Sequence, residues 1–145
     1  AASDVYKRQG VAIGAPLLRM QRVRLIEGEP ASIETAHVNL SLCPSLTEHD
    51  FECESLYDVL LKEGGVRVEH GREHISSSRL NVEEAELLQQ EEGTPVFYES
   101  SIEFDKDMRF VEHCKSVILP TKFRFADNGE ENGMRSVAGE QWLKQ

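Results

Sequence analysis

The chain has 145 residues, 39% hydrophobic and 29% charged, which suffices for one hydrophobic core and not for two comfortable domains. Its net charge of −10 disfavours direct contact with nucleic acid or anionic lipid. No apolar run approaches the roughly 20 residues of a membrane-spanning helix, and no signal-peptide pattern opens the chain. Three cysteines without a Cys-x-x-Cys pair argue against a disulfide framework and a zinc knuckle. We therefore expect a soluble, cytoplasmic domain with no metal, no cofactor and no membrane contact.

Both ends of the chain are predicted to lie outside the folded domain. Residues 1–10 show no usable periodicity and are interpreted as a leader. Residues 126–145 are rich in Gly, Asn and Glu with little to bury, so we expect a mostly flexible tail. The domain itself is predicted to span residues 11–125.

A hairpin and a helix are predicted first. Segments 17–26 and 31–40 are strand-like, and Glu27-Gly28-Glu29-Pro30 between them suits a hairpin turn. Ser55 suits the N-cap of a helix, with Asp58 at the N3 position of a capping box. This helix is predicted to end at Gly64-Gly65 and to carry inward Leu56, Val59 and Leu60.

A second helix and a second hairpin are predicted further along. Asn81 suits an N-cap with Glu84 at N3, and the helix is expected to close at Gly93. Its inward residues are predicted to be Val82, Ala85 and Leu88. The remaining predicted strands are 66–75, 96–104, 110–118 and 123–125, with the second hairpin turning at Asp105-Lys106-Asp107.

An internal repeat sets the fold class. A shift of 79 residues superposes Gly14-Ala15-Pro16-Leu17-Leu18 on Gly93-Thr94-Pro95-Val96-Phe97, and each copy reads Gly-x-Pro, strand, acidic turn, strand. The second copy of the repeat is preceded by a predicted helix, whereas within the predicted domain only Val11-Ala12-Ile13 precedes Gly14. A matching helix before the first copy is therefore expected to be truncated. Two hairpins and a crossing strand predict an α+β fold of two related halves, with one antiparallel sheet flanked by helices.

Arg22 and Arg24 are the most informative residues of the first hairpin. They lie two apart on a strand and therefore share one face with Leu18, Met20 and Ile26. Burying an unpaired guanidinium costs several kcal/mol, roughly, so a carboxylate or an anionic ligand should meet this pair. The alternative is a twisted strand end whose arginines reach solvent.

Two further groups would complete a ligand site. Glu34 lies across the hairpin from the arginines, and the repeat could bring Glu112 toward the same crevice. A helix start presents free N–H groups, so the Ser55 hydroxyl and the Tyr57 phenol would help to bind a phosphate. An ordinary N-cap with a packing tyrosine is the alternative.

Other chemistry-bearing patterns are weak. His70 and His74 are four residues apart, which is ligand spacing on a helix, but their segment has a strand pattern and no zinc site is expected. Ser45, His49 and Asp50 form no recognisable triad. The chain lacks the Gly-x-Gly-x-x-Gly, P-loop, His-Glu-x-x-His and Gly-x-Ser-x-Gly motifs, so no catalytic residue is predicted.

The ordered motifs together resemble a known family. They are Gly-Ala-Pro-Leu-Leu-Arg-Met-Gln-Arg-Val-Arg from residue 14, then Gly28-Glu29-Pro30, Glu34, Ser55-Leu56-Tyr57, Gly93-Thr94-Pro95, Phe110-Val111-Glu112 and Phe123-Arg124-Phe125. This set resembles the UTRA effector-binding domain of bacterial HutC-type GntR transcription regulators. The resemblance covers about residues 11 to 125.

The resemblance implies a chorismate-lyase-like fold that binds a small cytoplasmic metabolite and forms a homodimer. It also implies that DNA is contacted only through an N-terminal winged-helix domain, which these 145 residues do not contain. The chain is thus expected to be an isolated effector domain or a fragment, and the truncated first helix favours a fragment.

The sugar-responsive branch of the family binds phosphorylated amino sugars. The residues at its ligand-binding positions are here Arg22, Arg24, Glu34, Ser55, Tyr57 and Glu112. The resemblance implies that the arginines and the helix start take the anionic group, while the carboxylates accept bonds from hydroxyls or an amine. Thr121 replaces a usual acidic residue, and Glu99-Ser100-Ser101 stands where an arginine is common. A cationic or zwitterionic effector therefore stays open.

Three functions are alternatives to sensing a phosphorylated amino sugar. One is a chorismate-lyase-like enzyme on the same fold, for which no nucleophile or matched acid–base pair is identified. Another is a sensor of a non-phosphorylated acid such as urocanate. The last is a purely structural dimerisation module, against which a buried arginine pair argues because burying it would only cost stability.

Overall fold

The structure is a computed structural model that describes residues 14–122, together with the backbone of residues 125–127 and 134–136. The predicted leader lies outside the described residues, as do residues 123–124 and most of the predicted tail. The predicted limits of the domain therefore stay predictions.

The described part of the chain is an α+β domain with one five-stranded antiparallel sheet and two helices, as predicted. The strand order is β1-β2-β5-β4-β3. The elements of this fold are β1 (Leu17–Ile26), β2 (Glu29–Asn39), α1 (Leu56–Gly64), β3 (Val68–Arg79), α2 (Val82–Leu88), β4 (Pro95–Asp105) and β5 (Phe110–Ile118). Short 3₁₀ segments occur at Leu40–Leu42, Pro44–Glu48 and Pro120–Lys122.

The two hairpins lie where the sequence placed them, and each turn has a local cause. Glu27 and Gly28 take positive φ angles of 52° and 80° between β1 and β2. Between β4 and β5, the buried Asp105 carboxylate accepts hydrogen bonds from the backbone N–H groups of Asp107 and Arg109, each at 2.9 Å. The Arg109 Nε–H group also donates to Asp105, at 2.6 Å. One side chain thereby satisfies most of the turn's orphan donors.

The repeat is visible in the backbone as well as in the sequence. Gly14 and Gly93 have φ angles of 91° and 83°, a region that side chains with a Cβ rarely occupy. Each of these glycines precedes the first strand of its hairpin by a few residues. The equivalent conformation explains why glycine occupies both positions.

Helix α1 follows its prediction closely. The Ser55 side chain accepts a hydrogen bond from the Asp58 N–H group, and Gly65 ends the helix in the left-handed conformation. The predicted apolar stripe is buried, and its members are Leu56, Val59 and Leu60. Local capping signals were therefore sufficient to define this helix.

Helix α2 departs from its prediction in two respects. Its capping box between Asn81 and Glu84 is present, but the helix ends at Leu88 and not at Gly93, because Gln89 takes the left-handed cap position. Val82 was predicted to point inward and is exposed, whereas Ala85 and Leu88 are buried. Val82 is the first residue of this seven-residue helix, and at that end fewer neighbouring residues cover the apolar face.

Strand β3 begins two residues later than predicted and extends to Arg79. Val66, the predicted first residue, is buried but precedes the strand, with its N–H group bonded to the Leu60 carbonyl oxygen at the end of α1. Ten of the twelve residues of β3 are exposed, so its alternation is not the pattern of a half-buried strand.

The chain divides into two compact units. The first contains residues up to Met20, Ala36–Arg72 and Ser101–Cys114, and its core packs α1 against β2 and β5. The main members of this core are Val38, Cys43, Leu46, Leu60 and Val111.

The second unit contains Gln21–Thr35, Glu73–Ser100 and the chain from Lys115 onward. Its main core packs α2 against β2, β4 and β5 and includes Ile33, Leu80, Leu88, Val96 and Val117. A small additional hairpin pairs β6 (Phe125–Asp127) with β7 (Met134–Ser136), which the sequence analysis did not predict. The last predicted strand, at 123–125, overlaps β6 at Phe125 only.

Candidate functional site

The two strand arginines lie beside the Glu34 carboxylate in the second unit. The Arg24 Nε–H group donates to Glu34 Oε2 at 2.6 Å, and an Arg22 guanidinium nitrogen lies 3.7 Å from the same oxygen. The three side chains are only partly accessible, with 22%, 16% and 18% exposure for Arg22, Arg24 and Glu34. The structure thus confirms that Glu34 shares a face with the arginines.

The alternation of the first hairpin explains this placement. Val23 and Ile33 pack into the core beneath α2, so their neighbours Arg22, Arg24 and Glu34 project from the opposite face. Both guanidiniums therefore meet the Glu34 carboxylate in a partly desolvated environment, where an ion pair is stronger than in water.

Two further carboxyl groups of the second unit, Glu73 and Glu99, are linked to the arginine set through the charge of Glu34. Burial, then a hydrogen bond to Glu73, then the charges of Glu73 and Glu34 raise the pKa of Glu99 to about 8. At neutral pH the Glu73–Glu99 pair therefore holds a shared proton. The sequence did not indicate a role for Glu73, because it lies on β3 and meets Glu99 of β4 only in the folded chain.

The start of α1 carries two of the predicted ligand residues in the first unit. The Ser55 hydroxyl oxygen is engaged as the N-cap, 3.4 Å from the Asp58 backbone nitrogen. Tyr57 is half exposed, and its pKa is raised first by desolvation and then by the negative charges of Glu112 and Glu103. Tyr57 also hydrogen-bonds to Glu112, which is buried. The phenol therefore keeps its proton and serves as a donor.

The six predicted residues form two sets, one in each unit. The structure brings together Arg22, Arg24 and Glu34 in the second unit, and it brings Tyr57 to Glu112, with Ser55 on the same helix start, in the first. Glu103 and Cys114 contribute to the field around Tyr57. The closeness of Glu103 to the backbone of β3 is visible at Gly71, where a Cβ atom would lie 2.5 Å from the Glu103 carboxylate.

A histidine that the sequence analysis set aside lies between two carboxylates near the same helix. His49 Nδ1 lies 2.9 Å from Glu54, and its Nε2 lies 2.5 Å from Glu63. The Ser45 hydroxyl donates a hydrogen bond to Glu63, and the Asp50 backbone N–H group donates one to Glu54. The three residues form no triad, but the histidine has well-defined partners.

Among residues 14–122, no group of His, Cys, Asp and Glu has the arrangement of a metal site. His70 and His74 lie exposed on β3. Neither described helix is long and apolar enough to cross a bilayer.

Comparison with known proteins is consistent with this architecture. The UTRA domain family model matches residues 1–124. The transcriptional repressor NagR of Bacillus subtilis is 27% identical over 107 residues, which are 74% of this chain and 44% of that protein. The repressor PhnF of Mycolicibacterium smegmatis is 26% identical over 116 residues, which are 80% of this chain and 47% of that protein. The chain spans about half the length of these relatives.

Solved structures support the same fold. The effector domain of PhnF from Mycobacterium smegmatis superposes with a TM-score of 0.75 at 25% identity, covering 84% of this chain and 75% of that one. A GntR-family regulator from Enterococcus faecalis superposes with a TM-score of 0.80 at 20% identity, covering 88% and 91% of the two chains. These relatives are transcription regulators, so the family is regulatory rather than enzymatic. With its sheet order, its paired hairpins and a family match over most of its length, the chain belongs to the UTRA domain family, the effector-binding domains of GntR-type regulators.

Proposed function

We propose that this chain is the effector-sensing and dimerisation domain of a cytoplasmic GntR regulator of the HutC type. Its effector is proposed to be a small anionic metabolite, with a phosphorylated amino sugar as the first choice. Binding would control DNA recognition by a winged-helix domain outside these 145 residues. The observation that carries the proposal is the partly buried Arg22–Arg24 pair, which shares one glutamate.

The charge of the arginine set favours an anion. The Arg22 guanidinium lies 3.7 Å from Glu34, beyond an ordinary hydrogen bond, so its N–H groups can donate to a ligand. A phosphate could accept bidentate hydrogen bonds from a guanidinium, whose planar fork matches its oxygens. A cationic effector would have to displace or outweigh the two guanidiniums. The arginine set is therefore assigned to the anionic group of the ligand.

The carboxyl groups near the arginine set favour a ligand that also donates hydrogen bonds. Glu73 and Glu99, in the same unit as the arginine set, provide acceptors for an amine or for hydroxyl groups, and Glu112 in the first unit retains the acceptor role proposed from the sequence. Ser55 and Tyr57 retain the role proposed from the sequence as effector contacts at the helix start. Because Tyr57 is bonded to Glu112, we expect it to meet a sugar hydroxyl more readily than a phosphate.

The first test is ligand-dependent thermal stability. Glucosamine 6-phosphate should raise the Tm of the chain in a concentration-dependent way, because a ligand that binds only the folded state stabilises it. Arg24→Ala should lose most of this shift, since it removes the guanidinium that holds Glu34 and leaves that carboxylate closer to the phosphate. Differential scanning fluorimetry over a range of ligand concentrations measures both.

Arg19→Ala is the matched control, because Arg19 is exposed on the same strand and should leave the shift intact. Glucosamine, inorganic phosphate, amino acids and urocanate complete the panel. A shift with urocanate and none with the sugar phosphate would replace the first choice by a non-phosphorylated acid. No shift with any of these compounds would contradict the sensing proposal.

A further inference from the structure

His49 lies at the junction between the 3₁₀ segment Pro44–Glu48 and the loop that leads into α1. Its side chain is 18% exposed, and both ring nitrogens lie against carboxylates, Nδ1 against Glu54 and Nε2 against Glu63. The second carboxylate is itself held by Ser45, whose hydroxyl donates to it at 2.8 Å. The histidine therefore belongs to a defined four-residue group.

This geometry suits the imidazolium form only. A neutral imidazole has one N–H donor and one lone pair, so one of its two nitrogens would present a lone pair to a carboxylate. The protonated ring donates from both nitrogens. In agreement, the hydrogen bond to Glu54 and the charges of Glu54 and Glu63 outweigh desolvation and raise the pKa of His49 above its usual value.

The two carboxylates belong to opposite ends of α1. Glu54 immediately precedes the N-cap Ser55, and Glu63 lies in the last turn of the helix. The Asp50 N–H group also donates to Glu54 at 3.2 Å, which closes the loop on itself. A single imidazolium thus connects the loop to both the beginning and the end of the helix that carries Tyr57.

We propose that His49 is a positioning residue, whose protonated ring holds the start of α1 in the conformation that binds effector and whose deprotonation weakens that binding. The proposal rests on the proposed function, because Ser55 and Tyr57 are effector contacts only there. Loss of the proton would also leave Glu54 and Glu63 without their counter-charge, one of them next to Ser55. Both effects act against an anionic ligand as the pH rises.

The described charged groups that face the ring are these two glutamates. Phe51 packs near the ring, with centroids 6.0 Å apart, and Ser45 joins the group through Glu63. The Asp50 carboxylate accepts a hydrogen bond from the Glu52 N–H group within its own loop. The pH dependence is therefore assigned to His49 and not to a larger titrating cluster.

The first experiment uses the ligand-free chain. NMR titration of the histidine rings should show that the pKa of His49 lies above the usual value for histidine. His74, which is exposed on β3, provides the control variant. Amide exchange at Asp58 and Val59, whose N–H groups donate to Ser55, should accelerate as the pH passes the His49 pKa once it is corrected for its intrinsic pH dependence. His49→Gln should show the faster exchange at every pH, and His74→Gln should behave as wild type. An unshifted His49, or exchange that does not follow its titration, would overturn the proposal.

The second experiment measures binding of glucosamine 6-phosphate by calorimetry between pH 5.5 and pH 8.5. The ligand phosphate titrates near pH 6, so the informative quantity is the ratio of wild-type to His49→Gln affinity at each pH, in which the ligand's own titration cancels. We expect wild type to bind about fivefold more tightly at low pH and the two affinities to converge at high pH.

The two experiments separate failure of this inference from failure of the proposed function. Equal affinities of wild type and His49→Gln at all pH values would overturn the positioning role while leaving effector binding established. Absence of binding by wild type would contradict the proposed function, and the exchange experiment would still decide whether His49 orders the helix start.

Discussion

At the scale of single residues, the environment of a carboxyl group sets its charge, and Glu99 and Asp105 show opposite outcomes. Burial and the neighbouring Glu73 and Glu34 raise the pKa of Glu99 to about 8, so it is largely protonated at neutral pH. Asp105 is more deeply buried, which by itself would raise its pKa, but hydrogen bonds from Arg109 and Asp107 hold the pKa below its usual value. At Asp105, hydrogen-bond donors stabilise the charged form more than desolvation destabilises it. At Glu99, the neighbouring carboxylates add to the effect of desolvation and raise the pKa further.

Glu99→Gln should therefore change the pH dependence of stability. In wild type the folded state binds a proton at Glu99 that the unfolded state has released above about pH 4.5, so the free energy of unfolding falls as the pH rises from there to pH 8. The variant lacks this penalty. Because Glu99 is only partly buried, solvent screening reduces the effect of the pKa shift, and the variant should gain on the order of 2 kcal/mol at pH 8 relative to wild type, with little difference near pH 4.5. Urea unfolding at both pH values measures this.

Glu92→Gln is the control for Glu99→Gln. Because Glu92 is exposed, its substitution should not change how the free energy of unfolding varies with pH. A wild-type protein whose stability relative to Glu99→Gln stays constant from pH 5 to pH 8 would contradict a raised pKa at Glu99.

At the scale of elements, caps and turns define where the strands and helices end. The turn from β4 to β5 depends on the Asp105 carboxylate, which accepts from three N–H groups, and α2 depends on the reciprocal bonds between Asn81 and Glu84. The closing residues are less predictable. Gln89 ends α2 in a conformation that glycine usually takes, so the helix stops without a sequence signal.

Asp105→Asn tests the turn. The amide can still accept at one oxygen but offers a donor where Oδ2 accepted from Arg109, so we expect a loss of about 2 kcal/mol in the free energy of unfolding at pH 7. A lowered folded pKa means that the wild-type contribution is present above about pH 3.8 and is lost as the pH falls through the folded value. The loss should therefore shrink in acid. Asp107→Asn, at an exposed position of the same turn, should cost much less.

At the scale of the whole molecule, β3 is the feature that suggests a partner. It is one of the two edge strands of the five-stranded sheet, twelve residues long and exposed along most of its length, and monomeric proteins usually shorten or cover such edges. Pairing of two copies along this edge would satisfy its outward backbone groups and would give a symmetric dimer. This is the basis of the proposed homodimer.

Sedimentation equilibrium should show concentration-dependent dimers. Ser76→Pro and Ser77→Pro form a matched pair, because neighbouring strand residues direct their N–H groups to opposite sides. One variant should lose a bond to β4 and unfold more easily, while the other should keep its stability and weaken the dimer. A monomer at all concentrations, or equal dimerisation by the stable variant, would contradict pairing at β3.

Local chemistry decided what the sequence could predict. The caps Ser55 and Asn81, the two hairpins and the glycines of the repeat depend on neighbours within a few residues, and their positions were confirmed. The shared face of Arg22, Arg24 and Glu34 was predictable because strand alternation and a short turn connect them. The family followed from the order of these same local motifs.

Only the tertiary structure revealed the contacts between distant segments. Glu73 acts on Glu99, and His49 joins Glu54 to Glu63, through packing and strand pairing that no local spacing encodes. The exposure of Val82 likewise depends on what α2 packs against. Secondary structure arises from short-range capping and alternation, which the sequence by itself determined. The charge state of a buried carboxyl group or histidine depends on groups that folding brings within a few ångströms, which only the tertiary structure decided.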